Sequence, residues 1–451
     1  MSASLRRLLA AAAFASGLPL ANSAAALSQI QTWETPNGAR VLFVEAPDLP
    51  MLDLRLVFDA GSARDAGRPG LAGMTANMLT QGAGDWDADA IAERMEAVGA
   101  SLLASALRDT ASVATRSLTR QPALDTAIET LAKVLAEPRF AGPDLERVRQ
   151  NTLTALRQEE QDPGTIAQKA LYRAIFGDHP YAEEPSGTPE GVSTLTREDL
   201  AAFHRQYYGA RNAVVAMVGA IDRVQAEAIA DRVTAGLPGG ASGGERAPVP
   251  PPVPGLAGAS TAGIDFPSSQ THVLVGQPGM RRGDPDYFPL YVGNHVLGGS
   301  GLVSLLMDEV REKRGLSYSV YSYFLPMRAD GPFVMGLQTK NAQAEQAREV
   351  LLQTLRRFIE AGPSDRELAA AKKNITGGFP LRIAGNAKVV EYLAMIGFYD
   401  LPLDYLDRFT ARVEAVTAKQ IRDAFARRVH PDRLAVVEVG PRSGVMPKRD
   451  D

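Results

Sequence analysis

The chain repeats itself. The segment FAGPDLERVRQNTL from Phe140 matches EAGPSDRELAAAKKNI from Glu360, and LTREDLAAF with NAVVAMVG is matched by VTAKQIRDAF with LAVVEVG. Pro143 pairs with Pro363 and Gly219 with Gly440, so independent matches share an offset of about 220 residues. A common spacing marks duplication rather than chance, and the fold must accommodate two similar halves. Between them PGGASGGERAPVPPPVPG, from Pro238 to Gly255, joins a Gly/Ser stretch to a polyproline-like one and reads as an interdomain linker.

Each half mixes element types. Leu124, Ile128, Leu131 and Leu135 recur at helical spacing, as do Ile91, Met95 and Val98 behind a cap at Asp85 or Asp87. Within GLAGMTANML (70–79), Leu71, Met74 and Met78 predict a helix facing the core. VLFVE from Val41, DLRLVF from Asp53, AVVAMV from Ala213, THVLV from Thr271 and LAVVEV from Leu434 read as strands. Strands come in adjacent pairs and helices in long pairs, which favours an α+β fold over a doubly wound parallel sheet.

With 451 residues, 45% of them hydrophobic, the chain has ample core for two or three domains. A net charge of −4 and the absence of long charged blocks give no electrostatic case for nucleic acid or an anionic membrane. Arg6 and Arg7, an apolar run and the small residues NSAAALS follow the order of a secretory signal cleaved near Ala24 to Ala26. The expected compartment is the periplasm; the acid-free, Arg- and Ser-containing start leaves a mitochondrial transit peptide as the alternative. No cysteine is present, so no disulfide or thiolate zinc site can form. His179, His204, His272, His295 and His430 are scattered, with no pair at helical ligand spacing.

Taken with the strand and glycine turn RLVFDAGSARDAGRPGLAGM, the segments DHPY and TLTREDLAAFHRQYYGARNAVVAMVGAID, and above all GNHVLGGSGLVSLLMDEVREKRGLSYSVYSYF, the chain resembles the pitrilysin/insulinase family of zinc peptidases, in its mitochondrial-processing-peptidase-like branch. The resemblance covers nearly all of residues 30–440. It implies two homologous domains of mixed, largely antiparallel sheet packed with helices, forming half of a clamshell. The expected boundaries are 1–26 for the signal, 27–237 and 258–445 for the two domains, and 238–257 for the linker.

The resemblance also shows what is missing. Where the family reads His-x-x-Glu-His, Gly73 and Asn77 take the histidine positions and Ala76 that of the general-base glutamate; the third ligand's position falls at Thr154 or Ala155. Glycine offers no side chain, alanine no base, and a carboxamide is a feeble zinc ligand. Glu159 and Glu160 lie further along and read as a solvated face. What remains is the pair Arg311 and Tyr318 in VREKRGLSY, at positions where the family holds the peptide beside the zinc. Read without the family, Arg311 is one charge in a solvated run and Tyr318 a core residue. Leu302, Leu305, Leu306 and Val310 predict a buried helical stripe ahead of them, with Gly315 as the stop. In GASLLASALRDT, Leu103 and Ala104 lie on a segment matching the family strand that pairs with the peptide backbone, with Leu103 where an asparagine is usual.

The expectation is a non-catalytic, peptide-binding subunit of an exported heterodimeric zinc peptidase. It would carry no cofactor itself, and zinc would reside in a partner chain of the same family. The alternatives are a scaffold of the same fold without a proteolytic role, or a stand-alone peptide-binding protein.

Overall fold

Every apolar run read as a strand forms one. The computed structural model describes residues 29–240 and 244–441, so the expected signal segment lies outside the described residues. The first half contributes β1 (Gln31–Glu34), β2 (Arg40–Glu45), β3 (Met51–Phe58), the small hairpin β4 (Gly82–Ala83) and β5 (Trp86–Asp87), β6 (Ser101–Ala106), β7 (Ala111–Leu118) and β8 (Ala213–Gly219). The second contributes β9 (Ser260–Asp265), β10 (Gln270–Met280), β11 (Ser317–Phe324), β12 (Gly331–Lys340) and β13 (Ala435–Gly440).

One sheet runs β1-β2-β8-β3-β7-β6 and the other β11-β12-β10-β13-β9. Traversed from opposite ends, the orders coincide: β2, β8, β3, β7 and β6 correspond to β9, β13, β10, β12 and β11, and β1 is an addition. In each sheet only one pair, β2–β8 or β9–β13, is parallel. The duplication read from sequence is thus a duplication of topology. Its local devices are duplicated too. The helices Gly142–Glu159 and Asp365–Arg382 are both 18 residues long. Thr196 with Asp199 and Thr417 with Gln420 each close a capping box, in which side chain and backbone satisfy one another's free groups.

The two halves exchange a helix. Pro163–Phe176 belongs by sequence to the first half, yet its Leu171, Ile175 and Phe176 pack with Leu274, Val334, Ala435 and Val437 of the second sheet. Its counterpart Asn386–Phe398 lays Val389, Val390, Leu393 and Ile396 on Leu42, Val57, Val214, Ala216 and Val218 of the first. Burying these four side chains contributes on the order of 8 kcal/mol gross. A whole domain retains only about 5–15 kcal/mol net, so neither sheet is adequately covered without the other half.

A buried polar seam reinforces the exchange. Asp109 accepts from Tyr181 Oη (2.5 Å), Tyr399 Oη (2.9 Å) and the Arg328 amide (2.7 Å), while the Ala329 amide donates to Tyr181 Oη. Asp59 receives Arg64 through two nitrogens and Arg328 at 3.1 Å. The Pro-rich strap docks against the same region: Pro248 and Pro251 carbonyls accept from Arg64 and His179, and Val253 and Leu256 join the second sheet's apolar cluster.

Candidate functional site

The helix Leu71–Met78 begins at Gly70, whose φ of 95° suits glycine. Its free N-terminal amides are met from outside by Asp65, which accepts from the Gly70 and Ala72 amides at 2.9 and 2.8 Å. Burial pushes the Asp65 carboxyl up to about 7 against the opposing pull of these bonds, and nearby Glu183 adds to the rise. Leu71, Met74 and Met78 are buried as their spacing predicts. Sequence reasoning passed over Asp65, although an acid shortly before a glycine-started helix is a capping signal.

A cavity of about 520 Å³ opens beside this helix. It is lined by Gly73, Asn77, Leu103, Ala104 and Ala155, so positions far apart in sequence that were singled out for metal and peptide chemistry meet here. Ala76 does not join them, being fully buried, and Thr154 is exposed on its helix, bonded to the Gln150 carbonyl. Ala155 is therefore the residue facing the cavity. The edge strand β6 forms one wall, with Leu103 62% exposed.

Zinc does not fit this site. Asn77 offers one carboxamide oxygen, and Gly73 and Ala155 offer nothing. The backbone has also closed in: a Cβ placed on Gly73 would lie 2.6 Å from the Pro185 carbonyl oxygen. The segment carrying Pro185 is tightly seated, since a Cβ on Gly187 would meet the Gly70 Cα at 2.6 Å and one on Gly191 the Pro69 carbonyl at 2.4 Å. Glu184, next to Pro185, is held at 2.6 Å by Arg108, which also donates to the Tyr181 carbonyl and covers the Tyr172 ring. Among the described residues, no three His, Asp or Glu side chains gather to hold a metal ion.

Arg311 and Tyr318 lie together, but not on this cavity, whose lining comes wholly from the first half. The Arg311 Cζ stands 4.7 Å from the centre of the Tyr318 ring, a cation–π contact. Tyr318 is 82% exposed on the edge strand β11, so it is not a core residue. The basic run around Arg311 is unequally engaged. Glu309 takes Lys313 (2.8 Å), Arg314 (2.7 Å) and Arg357 (3.2 Å), and these cations, Lys313 foremost, hold its carboxyl down to about 2. Arg311 is left with Glu312 at 3.6 Å.

The predicted stripe ahead of Arg311 is corrected at Leu302, which is 68% exposed; Leu306 and Val310 are buried as expected. Ser304 caps a fresh start by accepting from the Met307 amide, and Asp308–Glu312 is wound as a π-helix, so a single helical register does not run from 302. A second π-segment, His295–Gly299, precedes it, and such turns often mark functional positions. Gly315 has φ 61°, as its place at the stop requires. Val98 likewise falls outside its expected helix, which ends at Glu96; its cap is Asp87, accepting from the Ala90 amide.

Two sheets of like topology, and a helix whose cavity-facing positions carry no strong zinc donor, fit the peptidase-homologue resemblance read from the sequence. Residues 40–188 match the insulinase model, peptidase family M16, and residues 194–375 match the peptidase M16 inactive domain: the chain belongs to the M16 family. It is similar to an uncharacterized zinc protease of Streptomyces coelicolor (27% identity, covering 90% of this chain and 88% of that one). It is also similar to a non-peptidase homolog of Helicobacter pylori (27%, covering 85% and 87%). Among solved structures, a peptidase M16 inactive domain from Pseudomonas fluorescens superposes with a TM-score of 0.88 at 38% identity, covering 93% of this chain and 100% of that one. A protease from Helicobacter pylori shares the fold, with a TM-score of 0.85 at 19% identity over 92% of this chain and 100% of that one.

Proposed function

We infer that this M16 homologue is the zinc-free, peptide-holding subunit of an exported two-chain peptidase, whose metal and nucleophile reside in a partner of the same family. The observation that carries this reading is Arg311. In a run whose neighbouring cations are drawn onto Glu309, its guanidinium rests on an exposed tyrosine with only a weak ion pair. A guanidinium offers fixed donors to a peptide carbonyl or its tetrahedral oxyanion, and a charge-assisted bond of that kind contributes about 1.5–3 kcal/mol. Tyr318 adds a hydroxyl and an apolar face. The division is chemically sound, because an ion that activates water and a cation that orients the carbonyl need not share a chain. The leader-like N-terminus supports export to the periplasm.

The test mixes the purified mature chain with a zinc-bearing M16 partner and follows cleavage of a quenched fluorescent peptide. Cleavage that requires this chain and is lost in Arg311→Ala supports the reading. Cleavage equal with and without this chain, or undiminished in the variant, overturns it and leaves a scaffold role ahead.

A further inference from the structure

The exchanged helix Asn386–Phe398 turns one stripe away from the first sheet. Lys388, Glu391, Tyr392 and Met395 recur on that stripe and, with Leu381 and Arg382 from the end of the preceding helix, line a groove of about 540 Å³. Its charge is unbalanced. Neither Arg382 nor Lys388 has a carboxylate partner among the described residues: Arg382 donates to Tyr291 Oη (2.7 Å) and Lys388 to the Leu381 carbonyl (2.9 Å). The one acid on the groove, Glu391, faces Arg55 at 3.6 Å, and the buried Arg55 Nε has no partner. Behind the groove, Arg282 sits 5.8 Å from the Tyr287 ring centre and 5.4 Å from that of Tyr399, its buried Nε also unpartnered. On the groove itself two cations thus stand with a single carboxylate, and that carboxylate already faces Arg55.

We propose that this groove binds the C-terminal carboxylate of a peptide ending in an apolar residue. Arg382 and Lys388 receive the carboxylate, Leu381, Met395 and the Tyr392 ring cover the last side chain, and Glu391 accepts from a backbone N–H of the peptide. The exposed Leu381 and partly buried Met395 suffice for one side chain, whereas a fatty acid of equal charge would leave most of its tail in water. The site is distinct from Arg311 and from the first-half cavity, and it stands whether or not the chain has a catalytic partner.

The experiment titrates the mature protein calorimetrically with N-acetyl-Ala-Ala-Leu as free acid and as amide, and with octanoate. The acid is expected to bind about tenfold or more tighter than the amide, and the Arg382→Gln/Lys388→Gln variant to erase that preference. Both residues are exposed, and an unchanged melting temperature shows that the variant is folded. Equal binding of acid and amide, absence of binding by the acid, a preference surviving in the variant, or octanoate binding as tightly as the peptide acid each overturns the proposal.

Discussion

Replacing Gly73 by histidine, Ala76 by glutamate, Asn77 by histidine and Ala155 by glutamate supplies the donor types of an M16 zinc site, yet we expect the product to hold no zinc. The first imidazole has no room, because its Cβ would stand 2.6 Å from the Pro185 oxygen where ordinary contact begins near 3.4 Å. The carbonyl would have to retreat by about 0.8 Å, and overpacking of this kind costs about 1–3 kcal/mol. Retreat is opposed by the Gly70–Gly187 and Pro69–Gly191 approaches and by Arg108 on Glu184. Gly73→Ala alone gains up to about 1 kcal/mol of helix propensity against that clash, so it should lose about 0–2 kcal/mol and Gly73→His more. Glutamate at the fully buried Ala76 adds the desolvation of a carboxylate. Urea unfolding followed by circular dichroism measures the first effect, and metal analysis after dialysis against equimolar zinc the second. One retained zinc per chain in the fourfold variant, or a Gly73→His protein as stable as its parent, would refute the reasoning.

Other outcomes follow from single side chains. Burial lowers the His204 imidazole to about 4, its Nε2 bonded to the Leu135 carbonyl. The unfolded chain therefore takes up a proton near pH 6.5 that the folded one refuses, so this contribution is complete above pH 6.5 and shrinks by about 3 kcal/mol as pH falls to 4. His204→Gln should flatten that limb in urea titrations across the window, and an unchanged slope contradicts the assignment. Asp109→Ala leaves two tyrosine hydroxyls and the Arg328 amide without their acceptor, and a loss of about 3 kcal/mol or more is expected in thermal unfolding; a loss under about 1 kcal/mol would mean the seam contributes little. Arg311→Ala should leave the melting temperature within about 1 °C of the parent, because a half-buried cation with only a long ion pair adds little to stability; a large drop would make it structural.

How far the sequence alone reached can be judged from particular elements. The strands at Val41, Asp53, Ala213, Thr271 and Leu434 were legible because runs buried on a sheet are continuously apolar. The duplication was legible because helix starts such as Thr196 and Thr417 repeat with their caps. The meeting of Gly73, Asn77 and Ala155 was legible only through the family resemblance, since nothing in their chemistry marks a site. Three features were not legible. The exchange of helices leaves the same amphipathic stripe whichever sheet it covers. The closure at Pro185 depends on a backbone approach that glycine permits but does not announce. Leu302 was misplaced because it sits in a separate short turn, and the extended Ser304 that starts the next helix breaks the register without interrupting the apolar spacing.

The reciprocal helix exchange changes the meaning of the connecting strap. A chain whose halves are clasped through each other's helices does not come apart when the tether is severed, so a single nick in the linker should yield two fragments that co-migrate until denatured. It also means that the two halves cannot swing apart as independent bodies, because each sheet is covered by a helix that belongs by sequence to the other half.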